Sequence, residues 1–501
     1  MPCILTVDKG TSVVKVVLFR EDGTQVALAR RATTSSSPQP GWHEEDPQAN
    51  WAVLVELTRE VLSQAGVPVE EIAAVGVTAH MSGLILLDEQ YRPVYPSVLW
   101  DDARAAAIVQ GWQESGLHAQ LFDIGGQAIV PGLTVPLLRW FAENRPDVLR
   151  KARHLCTTKD YFVLRLTGVL GTDESDAGWM PADTIRRSYS ERLWALSGVE
   201  AYGELFPPIR QSQQVVGGVT AAAAAELGIR PGTPVIAGLG DANASTVGVG
   251  AVLPGQAATI VGTSLLNNLV ADRPIMEPLE IGFVLPTVDG NWLRMLPNTG
   301  GGSVNLKWLV ELAYQGERHP YAVMDAEVQA TPPGATGVFY HPYVNHAGVV
   351  APFYHVGARA QLTGLHTGAT RGMVARAVYE GIALCILDCY SATPGQVNEV
   401  RLSGGAARSP VLCQTIADVL GRPVLVPVGE ESAAQGTAVV AGWGIGLYPD
   451  LEQGVRQCVT IERRYEPVPE RTAFYAERYP LFRRIRTDMA GIWTERLRFE
   501  Q

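Results

Sequence analysis

The sequence predicts two α/β domains, each covering about half of the 501-residue chain. Short apolar segments with strand-like alternation occur near the start, and helix-like segments with an apolar residue about every 3.6 positions follow them. A similar order begins again after residue 255. Both halves also place Gly-Thr-Ser between two β-branched, apolar segments, in VDKGTSVVKVVLF (7–19) and TIVGTSLLNNLV (259–270). The repetition indicates that one α/β unit occurs twice.

The first half begins with segments that alternate as strands do, namely 3–8, 13–19 and 24–33. Glu21-Asp22-Gly23 lies between the second and the third segment and predicts a hairpin turn. Asp46-Pro47 then opens a helix, and residues 72–79 (IAAVGVTA) are typical of a buried strand. Two long helical segments are expected around 103–116 and 136–152.

The second half has its own predicted elements. They are a strand-turn-strand unit at 257–269, a long helix at 371–392, a strand at 399–405 and a helix at 410–420. We expect the boundary between the halves near 243–255, which gives domains of residues 1–245 and 246–501.

Composition excludes several classes of partner. The chain is 47% hydrophobic and 18% charged, which is ordinary for globular domains with substantial cores. The net charge is −11 and no basic cluster stands out, so neither nucleic acid nor an anionic membrane is an expected partner. No segment of about 20 apolar residues occurs, and Asp8-Lys9-Gly10 interrupts the apolar run that a signal peptide would need.

The cysteines are scattered along the chain, at Cys3, Cys156, Cys385, Cys389, Cys413 and Cys458. Cys385 and Cys389 are one helical turn apart, which would suit either a metal pair or two buried thiols on a core helix. We expect buried thiols. Unpaired thiols are typical of a reducing compartment, and the cytoplasm is the expected location.

The two Gly-Thr-Ser turns are candidate phosphate sites. A turn of this kind offers successive backbone N–H groups and hydroxyls, and its glycine lets an anion approach the backbone. Asp8 ends the first strand beside such a turn, and a carboxylate next to phosphate predicts a cation between them, most simply Mg²⁺. Lys15 would add positive charge. A plain hairpin and a solvated lysine are the alternatives.

Two further segments carry candidate chemistry. In LSGGAARSP a strand ends at Gly404-Gly405 and a helix begins near Ser409-Pro410, so backbone amides there could hold a nucleotide. Asp241, in IAGLGDANAS, follows an apolar strand shortly before the second turn. It either caps the next helix or acts as the general base for a substrate hydroxyl in phosphoryl transfer.

Taken together, these motifs resemble the FGGY carbohydrate kinases of the actin/Hsp70/sugar-kinase superfamily. The resemblance extends over essentially the whole chain, and it depends on the number and the order of the motifs. They are DKGTSVVK, PGWHEEDPQANW, WDDAR, TTKDYFVLRLTG, TDESDA, GLGDANA, VGTS, NTGGGSVNLKW and SGGAARSPVLCQTIADVLGRPV.

The resemblance implies two ribonuclease-H-like domains around a deep cleft, with the sugar mainly on the first and ATP mainly on the second. Asp241 would be the catalytic base, and Asp8 and Asp241 would hold Mg²⁺ through water. The implied phosphate-binding residues are Gly10, Thr11, Ser12 and Lys15, and the implied ATP-binding residues are Gly262, Thr263, Gly301, Gly404 and Gly405. The second turn departs from the family pattern, because Leu265 stands where another glycine is common.

The resemblance also bears on the substrate. Xylulose kinases commonly have Gln-Met-His-Gly where this chain has His80-Met81-Ser82-Gly83, and glycerol kinases have an Arg-Glu pair there. Glycerol is therefore disfavoured and D-xylulose is the first choice, with ribulose, other ketoses, a tetritol or gluconate as alternatives. The implied substrate-binding residues are His80, Met81, Ser82, Trp100, Asp102, Arg104 and Asn243.

Two other classes of function are left open by the phosphate turns alone. An actin- or Hsp70-like switch would hydrolyse ATP to regulate a protein partner, but it gives no reason for WDDAR, HMSG and Asp241 together. A sugar sensor that only binds would not need the base. A small-molecule sugar or polyol is the expected partner, and a homodimer is compatible with the sequence.

Overall fold

The computed structural model describes residues 1–345 and 348–499. The first half of the chain is built on a seven-stranded sheet. Its strands in spatial order are Val215–Gly218, Pro234–Ile236, Ile72–Ala79, Cys3–Lys9, Val13–Arg20 and Gln25–Ala32, and Leu239–Gly240 pairs with Ile72–Ala79 beside this path. The first three strands of the chain are antiparallel, whereas Ile72–Ala79 runs parallel to Cys3–Lys9.

A second seven-stranded sheet repeats this topology. Its strands in spatial order are Phe283–Pro286, Trp292–Asn298, Leu265–Ala271, Gln256–Val261, Glu399–Ser403, Val424–Pro427 and Ile461–Tyr465. Gln256–Val261 forms a hairpin with Leu265–Ala271 and pairs in parallel with Glu399–Ser403 on its other edge. Cys3–Lys9 has equivalent neighbours in the first sheet, so the predicted duplication is confirmed at the level of strand order and direction.

Helices cover these sheets. The described α-helices are Pro47–Ala65, Ala106–Glu114, Leu117–Gly125, Thr134–Asn144, Pro146–Leu149, Thr158–Thr167, Glu174–Ala177, Glu191–Ser197, Ala221–Leu227, Asp241–Gly248, Val304–Ala313, Pro320–Ala330, Arg371–Ser391, Pro410–Leu420, Ser432–Gly444, Leu451–Cys458 and Pro469–Arg496. Short strand pairs join the loops, namely Glu44–Glu45 with Ser97–Val98, Ile85–Leu87 with His154–Cys156, Thr172–Asp173 with Ile209–Arg210, Ala182–Asp183 with Ser188–Tyr189, and Phe339–His341 with Gln361–Thr363. In the described part of the chain, no helix meets the length and apolarity needed to span a bilayer.

Two helices, Asp241–Gly248 and Ser432–Gly444, cross between the sheets. They approach so closely that a Cβ on Gly436 would lie 1.9 Å from the carbonyl oxygen of Ala244. Helix Ser432–Gly444 packs on the first sheet, against Cys3–Lys9 and Ile72–Ala79, although it comes late in the chain. This crossing therefore ties the two halves of the chain together.

Several predicted bounds were wrong, for local reasons. The helical segment around 103–116 ends at Glu114, because Gly116 adopts a left-handed φ of 73° before the next helix begins. The segment 136–152 contains two helices, since Pro146 begins a new one. The expected boundary region near 243–255 begins within helix Asp241–Gly248. The division into residues 1–245 and 246–501 stays a prediction. The predicted hairpin, the helix opened by Pro47 and the buried strand at 72–79 are confirmed.

All six cysteines are buried and free, including Cys385 and Cys389, for which buried thiols were expected. Cys385 and Cys389 lie within helix Arg371–Ser391, in the core of the second half. Among the described residues there is no group of three or more His, Cys, Asp and Glu side chains that could hold a metal ion.

Candidate active site

The first Gly-Thr-Ser turn joins strands Cys3–Lys9 and Val13–Arg20. Asp8 and Lys15 are directly opposite each other in this antiparallel pair, so their side chains lie on one face of the sheet. Lys15 Nζ is 3.5 Å from Asp8 Oδ2 and 2.6 Å from Glu431 Oε2. Burial raises the pKa of Asp8, and the charge of Lys15 opposes that rise. The positive charge of Lys15 therefore lies beside the turn, and carboxylates from both halves of the chain share it.

Lys9, on the other face, braces the turn. Its buried ammonium donates to the carbonyl oxygens of Gly10 and Thr11, at 2.8 and 3.2 Å, and pairs with Glu45 at 3.1 Å. The indole Nε1 of half-exposed Trp100 donates to Thr11 Oγ1 at 2.9 Å. Sequence reasoning missed the role of Lys9. Its position in the Asp-Lys-Gly turn was the available signal, but its partners come from elsewhere in the chain.

Asp241 lies where three parallel strands end. Asp8 is in register with Thr78, and Thr78 is in register with Leu239, two residues before Asp241. The N-cap of the following helix is Gly240, so Asp241 is the first helical residue rather than its cap. Burial and the charge of Asp8 raise the pKa of Asp241 to about 7. A carboxyl group with a pKa near 7 can accept a proton near neutral pH.

The predicted substrate loop lies against the residue that precedes Asp241. A Cβ on Gly240 would be only 2.5 Å from Met81 Cγ, so Met81 packs directly on the backbone there. Ser82 has a left-handed φ of 67°, and its Oγ donates to the carbonyl oxygen of Gly132 at 3.1 Å. The Ser82 hydroxyl is therefore used to hold this strained loop.

His80 directly precedes Met81 and Ser82 and is buried. Its Nε2 is 3.3 Å from Thr158 Oγ1, and its Nδ1 has no hydrogen-bond partner among the described residues. Burial, with a smaller contribution from the charge of Lys9, lowers the pKa of His80 to about 3, so the ring is neutral at physiological pH. The structure places His80 beside the loop, and its contact with substrate stays a prediction.

The other predicted substrate residues have partners within the protein. Arg104 Nε donates to Asp102 Oδ1 at 2.9 Å, and Arg104 Nη2 donates to Glu44 Oε1 at 2.7 Å, all with buried side chains. The Arg104 guanidinium also lies 4.1 Å from the ring centre of Trp42. Asn243 is buried, and its Nδ2 donates to the carbonyl oxygen of Pro286 at 3.1 Å. Arg104 Nη1 and Asn243 Oδ1 are nevertheless buried without a hydrogen-bond partner among the described residues, so the contact of these residues with a sugar stays a prediction.

A cavity of about 410 Å³ lies beside Lys15 on the second half of the chain. This volume is within the usual range of about 300–1,000 Å³ for small-molecule sites. Gly404 and Gly405 line it together with Arg408 and Glu431. Gly404 has a φ of 90°, and a Cβ there would lie 2.6 Å from the carbonyl oxygen of Val261, so only glycine suits this close approach. The strand predicted to reach Gly405 ends at Ser403 for this reason.

The second Gly-Thr-Ser turn is held by the glycine loop at residues 300–302 and by Ser303 directly after it. The carbonyl oxygen of Gly262 accepts hydrogen bonds from the backbone N and the Oγ of Ser303, at 2.7 and 2.8 Å. Gly301 is buried, and its amide donates to Asn298 Oδ1 at 2.8 Å, whereas Thr263 is exposed. The turn and the glycine loop thus form one unit, in which Thr263 is open to a ligand and the Gly301 amide is already occupied.

The residues present fit a magnesium ion that is held jointly with nucleotide phosphates. Asp8 and Asp241 are close enough for the charge of Asp8 to raise the pKa of Asp241. Mg²⁺ typically keeps several waters and takes one or two carboxylates plus substrate phosphates, so it needs no cage of protein ligands. Two carboxylates beside a phosphate turn meet that requirement.

Comparison with known proteins identifies the family to which both halves of the chain belong. Residues 3–248 match the model of the FGGY family of carbohydrate kinases, N-terminal domain, and residues 257–445 match the model of its C-terminal domain. The autoinducer-2 kinase of Yersinia enterocolitica serotype O:8 / biotype 1B (strain NCTC 13174 / 8081) is 29% identical, over 99% of this chain and 94% of that protein.

Solved structures are similar over nearly the whole chain. The ligand-bound xylulose kinase from Lactobacillus acidophilus superposes with a TM-score of 0.92 at 25% identity, over 99% of this chain and 100% of that one. The gluconate kinase from the same organism gives 0.91 at 25% identity, with 99% of both chains covered. These matches confirm the two-part sugar-kinase fold, and the chain belongs to the FGGY family of carbohydrate kinases.

Proposed function

We propose that this carbohydrate kinase transfers the γ-phosphoryl group of ATP to a hydroxyl group of a small sugar, with D-xylulose, which would give D-xylulose 5-phosphate, as the first candidate. The observation that carries the proposal is the convergence of Asp241, Asp8 and Lys15 at the strand ends beside the first Gly-Thr-Ser turn. The 410 Å³ cavity reaches Lys15 from the other half of the chain. Phosphoryl transfer requires mainly positioning and charge neutralisation, which this arrangement supplies.

In this mechanism Asp241 accepts the proton of the substrate hydroxyl. The hydroxyl oxygen forms a bond to the γ-phosphorus while the bond from that phosphorus to the β–γ bridging oxygen breaks, and ADP leaves. Lys15 and the amides of the Gly10-Thr11-Ser12 turn meet the charge on the transferred group. Asp8 and Asp241 would hold Mg²⁺ through water. When bound, the metal ion would neutralise phosphate charge.

The substrate choice follows from the loop at residues 80–83. Met81 and Ser82 offer no bidentate partner for two hydroxyls, because Ser82 Oγ is already bonded to Gly132. A ketose that places one hydroxyl near Asp241 suits such a loop. Because the curated relatives are named autoinducer-2 kinases, autoinducer-2 is the second candidate, and gluconate is the third because of its structural neighbour. The buried free thiols support a reducing, cytoplasmic setting.

A panel of acceptors tests the proposal. ADP release would be followed in a coupled assay with D-xylulose, D-ribulose, gluconate, erythritol, glycerol and autoinducer-2, each as sole acceptor. We expect D-xylulose to give the highest kcat/KM of the six acceptors. A ranking led by autoinducer-2 would replace the proposed substrate while keeping the proposed chemistry. A ranking led by glycerol would overturn the interpretation of the loop.

We expect kcat/KM for the acceptor to rise about tenfold per pH unit below pH 7 and to level off above it. The reason is that Asp241, with a pKa of about 7, acts as a base only when it is deprotonated. The pH profile of the wild-type enzyme measures this. His80→Ala is the control. Because the pKa of His80 is about 3, its removal should leave the pH at which kcat/KM levels off unchanged. A flat profile between pH 5.5 and 8 would contradict the assignment.

We expect His80→Ala to lower kcat/KM for the preferred sugar roughly 30-fold, which corresponds to a loss of about 2 kcal/mol in transition-state stabilisation. The reason is that the ring supports the Met81-Ser82 loop and offers Nδ1 as a polar contact. The KM for ATP should hardly change, since the nucleotide cavity lies on the other half. Thr158→Val is the matched variant, because it removes only the partner of Nε2. If His80→Ala leaves kcat/KM intact for every acceptor, this loop does not determine specificity.

A further inference from the structure

A cluster of buried charges lies next to the segment that leads into Asp241. The Lys159 ammonium is 2.6 Å from Asp160 Oδ1, 3.2 Å from Asp173 Oδ1 and 3.4 Å from Asp176 Oδ2. All four side chains have 0% exposure, so no solvent reaches them. The residues come from TTKDYFVLRLTG and TDESDA, two segments to which the proposed mechanism gives no role.

The cluster is bonded to the backbone of the strand end that precedes Asp241. Lys159 Nζ donates to the carbonyl oxygen of Ala237 at 3.2 Å. At the other end of this short segment, the amide of Gly240 donates to Ser175 Oγ at 2.9 Å. Residues 237–240 are therefore held at both ends by groups that belong to one buried network.

Ser175 is the link between the charges and Gly240. Its hydroxyl donates to Asp173 Oδ2 at 2.7 Å and its backbone amide donates to the same oxygen at 2.9 Å. With the hydroxyl proton directed to Asp173, the Ser175 oxygen is left to accept from the Gly240 amide. Ser212 Oγ donates to the same Asp173 oxygen at 2.7 Å, but no side-chain bond from Ser212 to residue 240 is found among the described residues.

Such a network is a costly way to build a core. Removing charges from water is unfavourable, and apolar packing of similar volume is often as stable, so buried ion pairs are weak evidence for stability. A network of fixed bonds does, however, hold a backbone in one conformation. Gly240 is the N-cap of the helix that begins at Asp241. The backbone position of Gly240 therefore determines where the Asp241 side chain lies.

We propose that Ser175 is a positioning residue for the catalytic base: its hydroxyl, oriented by Asp173 and Lys159, fixes the amide of Gly240 and so directs the Asp241 carboxylate at the acceptor hydroxyl. This inference rests on the proposed function of Asp241. A displacement of about 1 Å at a reacting group can lower a rate roughly 100-fold, so a single hydrogen bond at this place has a measurable effect.

The test is Ser175→Ala in the full-length enzyme, with kcat and both KM values measured at saturating Mg²⁺. We expect kcat to fall roughly 10–100-fold while the KM for ATP is unchanged, because nucleotide binding uses other residues. Ser175→Thr retains the hydroxyl and should recover most of kcat. Ser212→Ala is the matched control, since it removes a hydroxyl from the same Asp173 oxygen without touching Gly240, and it should keep wild-type kcat.

The double variant Ser175→Ala with Asp241→Asn separates this proposal from the proposed function. If Ser175 acts through Asp241, its loss should add nothing once the base is gone. Wild-type kcat in Ser175→Ala, or an equal loss in Ser212→Ala, would overturn the positioning role even if Asp241→Asn shows its expected loss of kcat. Wild-type turnover of Asp241→Asn alone would instead overturn the proposed function. If Ser175→Ala does not fold, Ser175→Cys gives the same comparison with a weaker acceptor.

Discussion

Replacing Asp241 with asparagine should lower kcat by roughly 10²–10⁴-fold, the usual contribution of a general base. The amide has nearly the shape of the carboxyl group, so the helix that begins at residue 241 should be kept. It cannot take a proton from the substrate hydroxyl at neutral pH. ATP binding, measured by calorimetry, should remain close to that of the wild type, because the nucleotide cavity is lined by other residues.

Asp123→Asn is the matched control for this variant, since Asp123 is an exposed carboxylate on helix Leu117–Gly125. It should have wild-type kcat. Turnover of Asp241→Asn at the wild-type rate would show that Asp241 is only a structural residue at the helix start.

Replacing Asp8 with asparagine should have the next largest effect, a fall in kcat of roughly 100-fold, the upper end of what loss of an outer-sphere metal partner typically costs. Asp8 is the carboxylate opposite Lys15, and the substitution leaves Lys15 paired with Glu431. The variant should also need more Mg²⁺ for half-maximal activity. Titration of Mg²⁺ at fixed ATP measures this directly.

Asp22→Asn serves as the control for Asp8, because it changes an acidic residue on the exposed turn between strands Val13–Arg20 and Gln25–Ala32. Its Mg²⁺ requirement should match the wild type. An Asp8→Asn enzyme that loses activity but keeps the wild-type Mg²⁺ titration would contradict a metal role for Asp8.

Features set by neighbouring residues could be predicted from the sequence. Alternating apolar residues around Gly-Thr-Ser predict a hairpin wherever they occur, and both hairpins are present. Asp241 stood out because it follows an apolar strand directly. The predicted ends of helices and strands were wrong where the φ angle of one glycine decides them, as at Gly116 and Gly404.

Features set by distant residues could not be predicted. The pairing of Lys9 with Glu45, and of Lys15 with Glu431, depends on how remote segments pack. Arg104 pairs with Glu44, 60 residues away, which its motif did not indicate, and its expected contact with substrate stays a prediction. A charged residue in a motif shows that a charge is needed, and only the fold shows what it faces.

This chain should phosphorylate a small acceptor rather than hydrolyse ATP as a switch. The most direct measurement is ³¹P NMR of the enzyme with ATP and Mg²⁺, with and without the best acceptor of the panel. We predict slow ATP loss without acceptor, and with acceptor a rapid loss in which each ADP is matched by one new phosphate monoester. Equal rates in both samples, with inorganic phosphate as the product, would contradict the claim.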